Sequence, residues 1–180
     1  ELTERYDAGE EINLLSNGGR IGYKLSEWSM FERYVEYRNQ VSMDIIHSEF
    51  NLISPILGYA GTIDRVATIN GKNILIDIKT SGQVYDHYWL QLAAYKKLLS
   101  EHYGSTTIID GVAILWLNSK TRTAGKKDQI QGKGWQLIIR EPGMEANDMD
   151  LFECTRKLWL AQNGDMQPRL QTYSLTHKIN

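Results

Sequence analysis

The sequence predicts an α/β fold in which helices cover the faces of a sheet, and three observations point to it. Segments of helical and strand periodicity follow the order helix, three strands, helix, strand, strand, helix. An Asn70-Gly71 pair between apolar alternations marks a hairpin joining the second and third strands. A strong helical repeat over 86–103 leads into a strand, Ile108 to Leu117, that is apolar on both faces, as expected of a strand inside a sheet.

Each element has its own signal. Residues 1–24 are polar and carry Gly18-Gly19 and Gly22; they predict a short helical piece and a loop, the least defined part of the chain. Ser26, followed by Trp28, Phe31, Tyr34, Val35 and Tyr37, predicts a capped helix to about Gln40. Met43 to Ile53 reads as a strand with His47 and Glu49 on one side, and Pro55 and Gly58 make the next turn. Strands follow over 59–69 and 72–79. In the helix from Asp86 to Tyr103, Tyr88, Leu92, Tyr95 and Leu99 share a face; Trp89 sits off that stripe and Gly104 ends the helix. A polar loop over 118–134 precedes a strand from Trp135 to Arg140. The last helix runs from about Asn147 to Gln162, stopped by Asn163-Gly164, and the tail after Pro168 is expected to be extended. There is no internal repeat and no low-complexity segment, and 180 residues suit one domain with a sizeable core.

Composition excludes several functions. A net charge of −2 leaves no global basic signature, so contact with nucleic acid requires a local patch. The single cysteine, Cys154, rules out an internal disulfide framework and cysteine-ligated zinc or iron–sulfur sites. It favours a reducing, intracellular setting. The longest apolar run, Val112 to Leu117, is far too short to span a membrane, and no charged-then-apolar signal opens the chain. The first residue is Glu1 rather than Met, which leaves room for residues upstream. No G-x-x-x-x-G-K loop is present, so an NTPase has no support.

The chemistry concentrates between Gly61 and Tyr95. If Asn70-Gly71 closes a two-residue hairpin, Ile69 faces Lys72 and paired positions sum to 141, which sets Asp64 opposite Asp77. Carboxylates so placed have Cβ atoms about 5 Å apart and repel; a divalent cation is the simplest reason to keep them. Solvated surface acids are the alternative. Ile74, Ile76 and Ile78 on one face and Leu75 beside the acids on the other argue instead for a covered cleft. Lys79 shares the Asp77 face because strand side chains alternate. Its ammonium is suited to polarising an attacking water or stabilising developing negative charge. Gln91 and Tyr95, at i,i+4, can point their polar ends at the acids. Opposed acids of this kind suit one or two Mg²⁺ or Mn²⁺ ions.

Farther along, the 118–134 loop carries Lys120, Arg122, Lys126, Lys127 and Lys133 against Asp128 alone, a local positive patch suited to phosphates. Trp89, off its helix's buried stripe, is the candidate base-stacking residue. The histidines form no ligand spacing; His47, beside Glu49, is the one candidate among them, and His87, His102 and His177 are expected to be structural or on the surface.

The segments Gly61-Thr62-Ile63-Asp64-Arg65, Asp77-Ile78-Lys79-Thr80-Ser81 and Gln91-Leu92-Ala93-Ala94-Tyr95 together resemble the PD-(D/E)XK nuclease superfamily, in particular its RecB-like exonuclease branch, which includes phage exonucleases and the mitochondrial genome maintenance exonuclease. The match in motif, order and spacing covers roughly residues 44–117. It implies a restriction-endonuclease-like fold, a central mixed β-sheet flanked by helices. It also implies metal binding by Asp64, Asp77 and the Ile78 carbonyl, Lys79 as the catalytic lysine, and supporting roles for Gln91 and Tyr95. Glu49 matches an acidic residue common in the branch, as a ligand or just behind the ligands. Many relatives carry a metal-binding histidine on an N-terminal helix; no histidine precedes His47 here, and Glu10 or Glu11 is the expected substitute. The implied activity is metal-dependent hydrolysis of linear DNA, single- or double-stranded, by an exonuclease of recombination, repair or replication, with a protein of those processes as partner. A structure-selective or restriction-type endonuclease and a non-cleaving DNA-binding module are the alternatives.

Overall fold

The computed structural model describes residues 1–15, 19, 22–104, 108–118 and 134–164. Along the chain come α1 (Leu2–Asp7), α2 (Leu25–Gln40), β1 (Asp44–Ser54), β2 (Tyr59–Ile69), β3 (Lys72–Lys79), α3 (His87–Tyr103), β4 (Gly111–Trp116), β5 (Gln136–Ile139) and α4 (Met144–Asn163). The five strands form one sheet in the order β1-β2-β3-β4-β5. Only the β3–β4 pair is parallel, because α3 carries the chain back across the sheet between them; the other three pairs are antiparallel. The mixed sheet with helices on both faces is the arrangement the sequence predicts.

The hairpin register is the one computed from Asn70-Gly71, with Ile69 opposite Lys72 and Arg65 opposite Ile76. Asn70 and Gly71 both take positive φ, 50° and 76°, the backbone such a turn demands. All six residues of β4 are buried, as its unbroken apolar run requires. On one face Leu75, Val66, Val112 and Ile114 pack under Leu92, Leu98, Leu99 and Trp89 of α3. On the other, Ile74, Ile76, Ala113 and Leu115 meet Tyr34 and Tyr37 of α2. Alternate residues of β3 therefore enter different cores, and a substitution in this strand disturbs one layer at a time.

Several boundaries moved. The helix expected to be capped by Ser26 begins two residues earlier, with Lys24 at the N-cap, and the Glu27 carboxylate accepts the Lys24 N–H at 3.3 Å. The last helix starts at Met144, three residues before Asn147, with Gly143 at its N-cap in a left-handed conformation, φ 88°. Asp148 is 2% exposed and accepts two hydrogen bonds from Arg140, from Nε at 2.7 Å and Nη2 at 2.6 Å. That guanidinium also lies 4.9 Å from the centre of the Trp89 ring. One fork thus ties α4 to the end of β5 and to α3. Asp148→Ala is expected to lower stability by about 3 kcal/mol, because it strands a guanidinium paired with a buried carboxylate; a denaturant midpoint unchanged from wild type would show the fork to be dispensable.

Candidate active site

The site forms where β2 separates from β3. Paired residues continue to Arg65 and Ile76 and stop there. Asp64 and Asp77, expected to face each other across an intact ladder, stand at the first position beyond it. In an antiparallel pair, alternate residue pairs exchange both backbone bonds, so after Arg65 and Ile76 the next exchanging pair would be Ile63 and Ile78. Instead the Ile78 N–H donates to Asp64 Oδ2 at 2.7 Å. The aspartate side chain takes the place of a backbone acceptor and opens the sheet between the acids.

On the neighbouring strand, Glu49 has φ 47°, a left-handed conformation uncommon for a residue with a side chain. The β1–β2 register has already slipped between Ile45 and His47. Together these irregularities break the alternation that set His47 and Glu49 on one side. His47 stacks on Phe50 at 4.9 Å and Tyr103 at 5.4 Å, over the α3 face. Glu49 instead lines a cleft of about 740 Å³ with Asp64, Ile78, Thr80 and the start of α1. His47 is therefore an aromatic packing residue and not a companion of Glu49.

Asp77 is 2% exposed. Burial is the main reason its carboxyl is pushed up to about 6; Asp64 nearby raises it further, while Lys79 pulls it down. Lys79 Nζ lies 2.7 Å from Asp77 Oδ2, and apart from this ion pair Oδ2 has no hydrogen-bond partner among the described residues. The ammonium also donates to Gln91 Oε1 at 3.2 Å and rests 4.5 Å from the centre of the Tyr88 ring. Gln91 Nε2 in turn donates to Tyr95 OH at 2.8 Å. Both oriented ends of the Gln91 amide are used, so the lysine is held from three sides: by a carboxylate, an amide oxygen and a ring.

Gln91 and Tyr95 also line a second cleft, of about 380 Å³, with Tyr59, His87 and Phe152. From one cleft to the other, the charge of Asp64 acts on Asp77, Asp77 pairs with Lys79, and hydrogen bonds run on through Gln91 to Tyr95. Tyr95 reaches this position because residue 61 is glycine. A Cβ there would overlap Tyr95 Cε1 and sit 2.9 Å from Cδ1. The small residue is a packing requirement of the site.

Other expected residues lie elsewhere. Glu10 pairs with Arg5 at 2.7 Å, and Glu10 and Glu11 line a separate cleft with Trp28 and Val35, so neither adds a ligand beside Asp64. Trp89 is 7% exposed and belongs to the core, because it, and not Tyr88, points into the sheet. It has no free face for a base. Lys120, Arg122, Lys126, Lys127 and His177 lie outside the described residues. His87 and His102 are exposed. Sequence reasoning missed Tyr88 as the floor under Lys79. It also missed Arg65 and Asp7, which meet beneath Asp64 at 2.8 Å. Arg65 stood in plain view beside the aspartate, but only the fold shows that it is buried.

Among the described residues no group of three or more His, Cys, Asp or Glu side chains is placed to hold a metal ion. The acids fit a hard cation that keeps most of its waters: Asp64 at the cleft, and Asp77 buried near it with an oxygen that meets only an ammonium. They do not fit a closed cage of the zinc type.

No family model matches the chain, and no curated protein matches it. Among solved structures it is similar to a candidate exonuclease from Eubacterium rectale, 13% identical over 98% of this chain and 70% of that one, with a TM-score of 0.48. It is similar also to the protein SSO0001, 18% identical over 81% of this chain and 70% of that one, with a TM-score of 0.33.

Proposed function

We propose that this chain is a metal-dependent deoxyribonuclease that shortens linear DNA from its ends. The observation that supports this most is the placement of Lys79, held by Asp77 and Gln91 at the point where Asp64 and Asp77 approach across an opened sheet.

Asp64, Asp77 and the Ile78 carbonyl would hold Mg²⁺ or Mn²⁺, with Glu49 at the cleft wall behind them. When bound, such an ion lowers the pKa of a water and offsets charge on a phosphoryl group. The remaining steps belong to the protein. The Asp77 carboxylate keeps the ammonium charged and fixed beside the cleft. With Asp77 and Gln91 taking two of its three N–H groups, Lys79 has one left to donate, either to the water that attacks phosphorus or to the oxygen on which negative charge grows, a contact worth about 10²-fold or more in comparable sites. Gln91 holds the ammonium in line, and Tyr95 holds Gln91. Burial of Asp77 strengthens each of these interactions by removing competing water.

End-labelled single- and double-stranded linear DNA and closed circular DNA, each with Mg²⁺, Mn²⁺ or EDTA, test the reading. Linear DNA is expected to be degraded, circular DNA to survive, and EDTA to stop the reaction; full activity in EDTA would end the metal hypothesis. Cleaved circles would favour an endonuclease. Mg²⁺ or Mn²⁺ alone is expected to raise the melting temperature, since an ion that binds only the native state stabilises it by mass action.

A further inference from the structure

We propose that Arg65, held by Asp7 of α1, is a positioning residue for Asp64, so that docking of the N-terminal helix and placement of the acid are a single event. Arg65 is buried, its side chain 1% exposed. A buried guanidinium requires a partner charge and acceptors for its N–H groups. Asp7 supplies the charge: its Oδ2 accepts from Arg65 Nε at 2.8 Å and from Tyr34 OH at 2.5 Å, and its Oδ1 lies 3.4 Å from Arg38 Nε. The other donors of Arg65 reach Thr3 Oγ1 at 3.2 Å, the backbone oxygen of Asp64 at 2.6 Å and Glu49 Oε1 at 3.5 Å.

These acceptors belong to three separate parts of the chain, and Asp64 is gripped at both ends. Its backbone oxygen takes the guanidinium, and its carboxylate takes the Ile78 N–H. The position is beyond the last ladder pair with β3, Arg65 with Ile76, so β3 pairing does not hold it, and on the β1 side only its neighbours Ile63 and Arg65 are paired, with Phe50 and Ser48. Thr3 and Glu1 of the same N-terminal segment line the Asp64 cleft. Without α1, the guanidinium loses its closest counter-charge and keeps only Glu49 at 3.5 Å, and the group that holds the Asp64 backbone oxygen is no longer fixed in place. Lysine cannot replace arginine here, because one ammonium cannot serve acceptors spread around a planar fork.

The catalytic consequence rests on the deoxyribonuclease reading, but the placement can be read directly from the Ile78 amide. The experiment compares wild type, Asp7→Asn, Asp7→Asn/Arg65→Gln and Arg65→Lys by thermal unfolding, amide hydrogen exchange and cleavage of linear DNA with Mg²⁺. Asp7→Asn alone should destabilise strongly. The double variant removes both buried charges together and should regain most of the stability. Even so, its Ile78 amide should exchange about tenfold faster, the loss of roughly one hydrogen bond. Amides of Ala67 and Ile74, inside the hairpin ladder, should stay within about twofold. Cleavage should fall mainly in kcat.

Arg65→Lys keeps the charge for Asp7 and should give the same selective change at Ile78, which covers the case in which the double variant fails to fold. Wild-type protection of Ile78 in either stably folded variant would overturn the proposal. Wild-type protein that cleaves no DNA would defeat the nuclease reading while leaving the exchange result to decide the role of Arg65.

Discussion

Asp77→Asn is expected to abolish cleavage and, without metal, to raise the melting temperature. The two effects share one cause. Burial and the neighbouring Asp64 push the Asp77 carboxyl up to about 6, whereas in the unfolded chain it titrates near 4. Below about pH 4 the group is neutral in both states and carries no cost. As pH rises from about 4 to 6, the unfolded chain ionises first, so stability falls; above 6 the full cost is present, at most about 3 kcal/mol. Asparagine removes it but also removes the carboxylate from Lys79, so the net gain should stay below about 2 kcal/mol.

Asp64→Asn and Lys79→Ala should likewise abolish cleavage, the latter by at least about 10²-fold through loss of a contact to developing charge. Because protons compete with metal for Asp77, activity and Mn²⁺ affinity of the wild type should both fall as pH drops through 6. Cleavage assays and unfolding curves from pH 4 to 8 check all of this. Any of the three variants with near wild-type activity would remove its residue from the site. Flat apo stability across pH 4 to 6 would contradict the burial argument.

Gly61→Ala is expected to lower activity as well, although residue 61 carries no side chain. The new methyl would overlap the Tyr95 ring edge. Relief requires Tyr95 to move, and with it go the Gln91 Nε2 bond at 2.8 Å and the alignment of Gln91 Oε1 on Lys79. Overpacking of this kind costs about 1–3 kcal/mol of stability, and cleavage should drop by more than about tenfold as the lysine loses one of its three restraints. Adding Tyr95→Leu to Gly61→Ala relieves the clash without restoring the hydroxyl. Stability should recover and activity should not. Recovery of both would mean that Tyr95 only fills space.

Hydropathy, hairpin chemistry and motif spacing determined by themselves a good deal of this protein. The sheet and its helices, the Asn70-Gly71 register, the buried run of β4 and the nearness of Asp64, Asp77, Lys79, Gln91 and Tyr95 were all legible. Each follows from local rules: turn residues with positive φ, alternation along a strand, i,i+4 spacing on a helix. Tertiary structure alone decided where those rules are broken. The ladder ends at Arg65 because the Asp64 carboxylate captures the Ile78 N–H. His47 and Glu49 part company because Glu49 adopts a left-handed backbone. Trp89 turns inward and Tyr88 sits under Lys79, a choice between adjacent helix positions that the neighbouring strands make. Asp7 meets Arg65 across 58 positions of sequence. No sequence period links two such residues; what joins them is the cost of leaving a buried guanidinium unpaired.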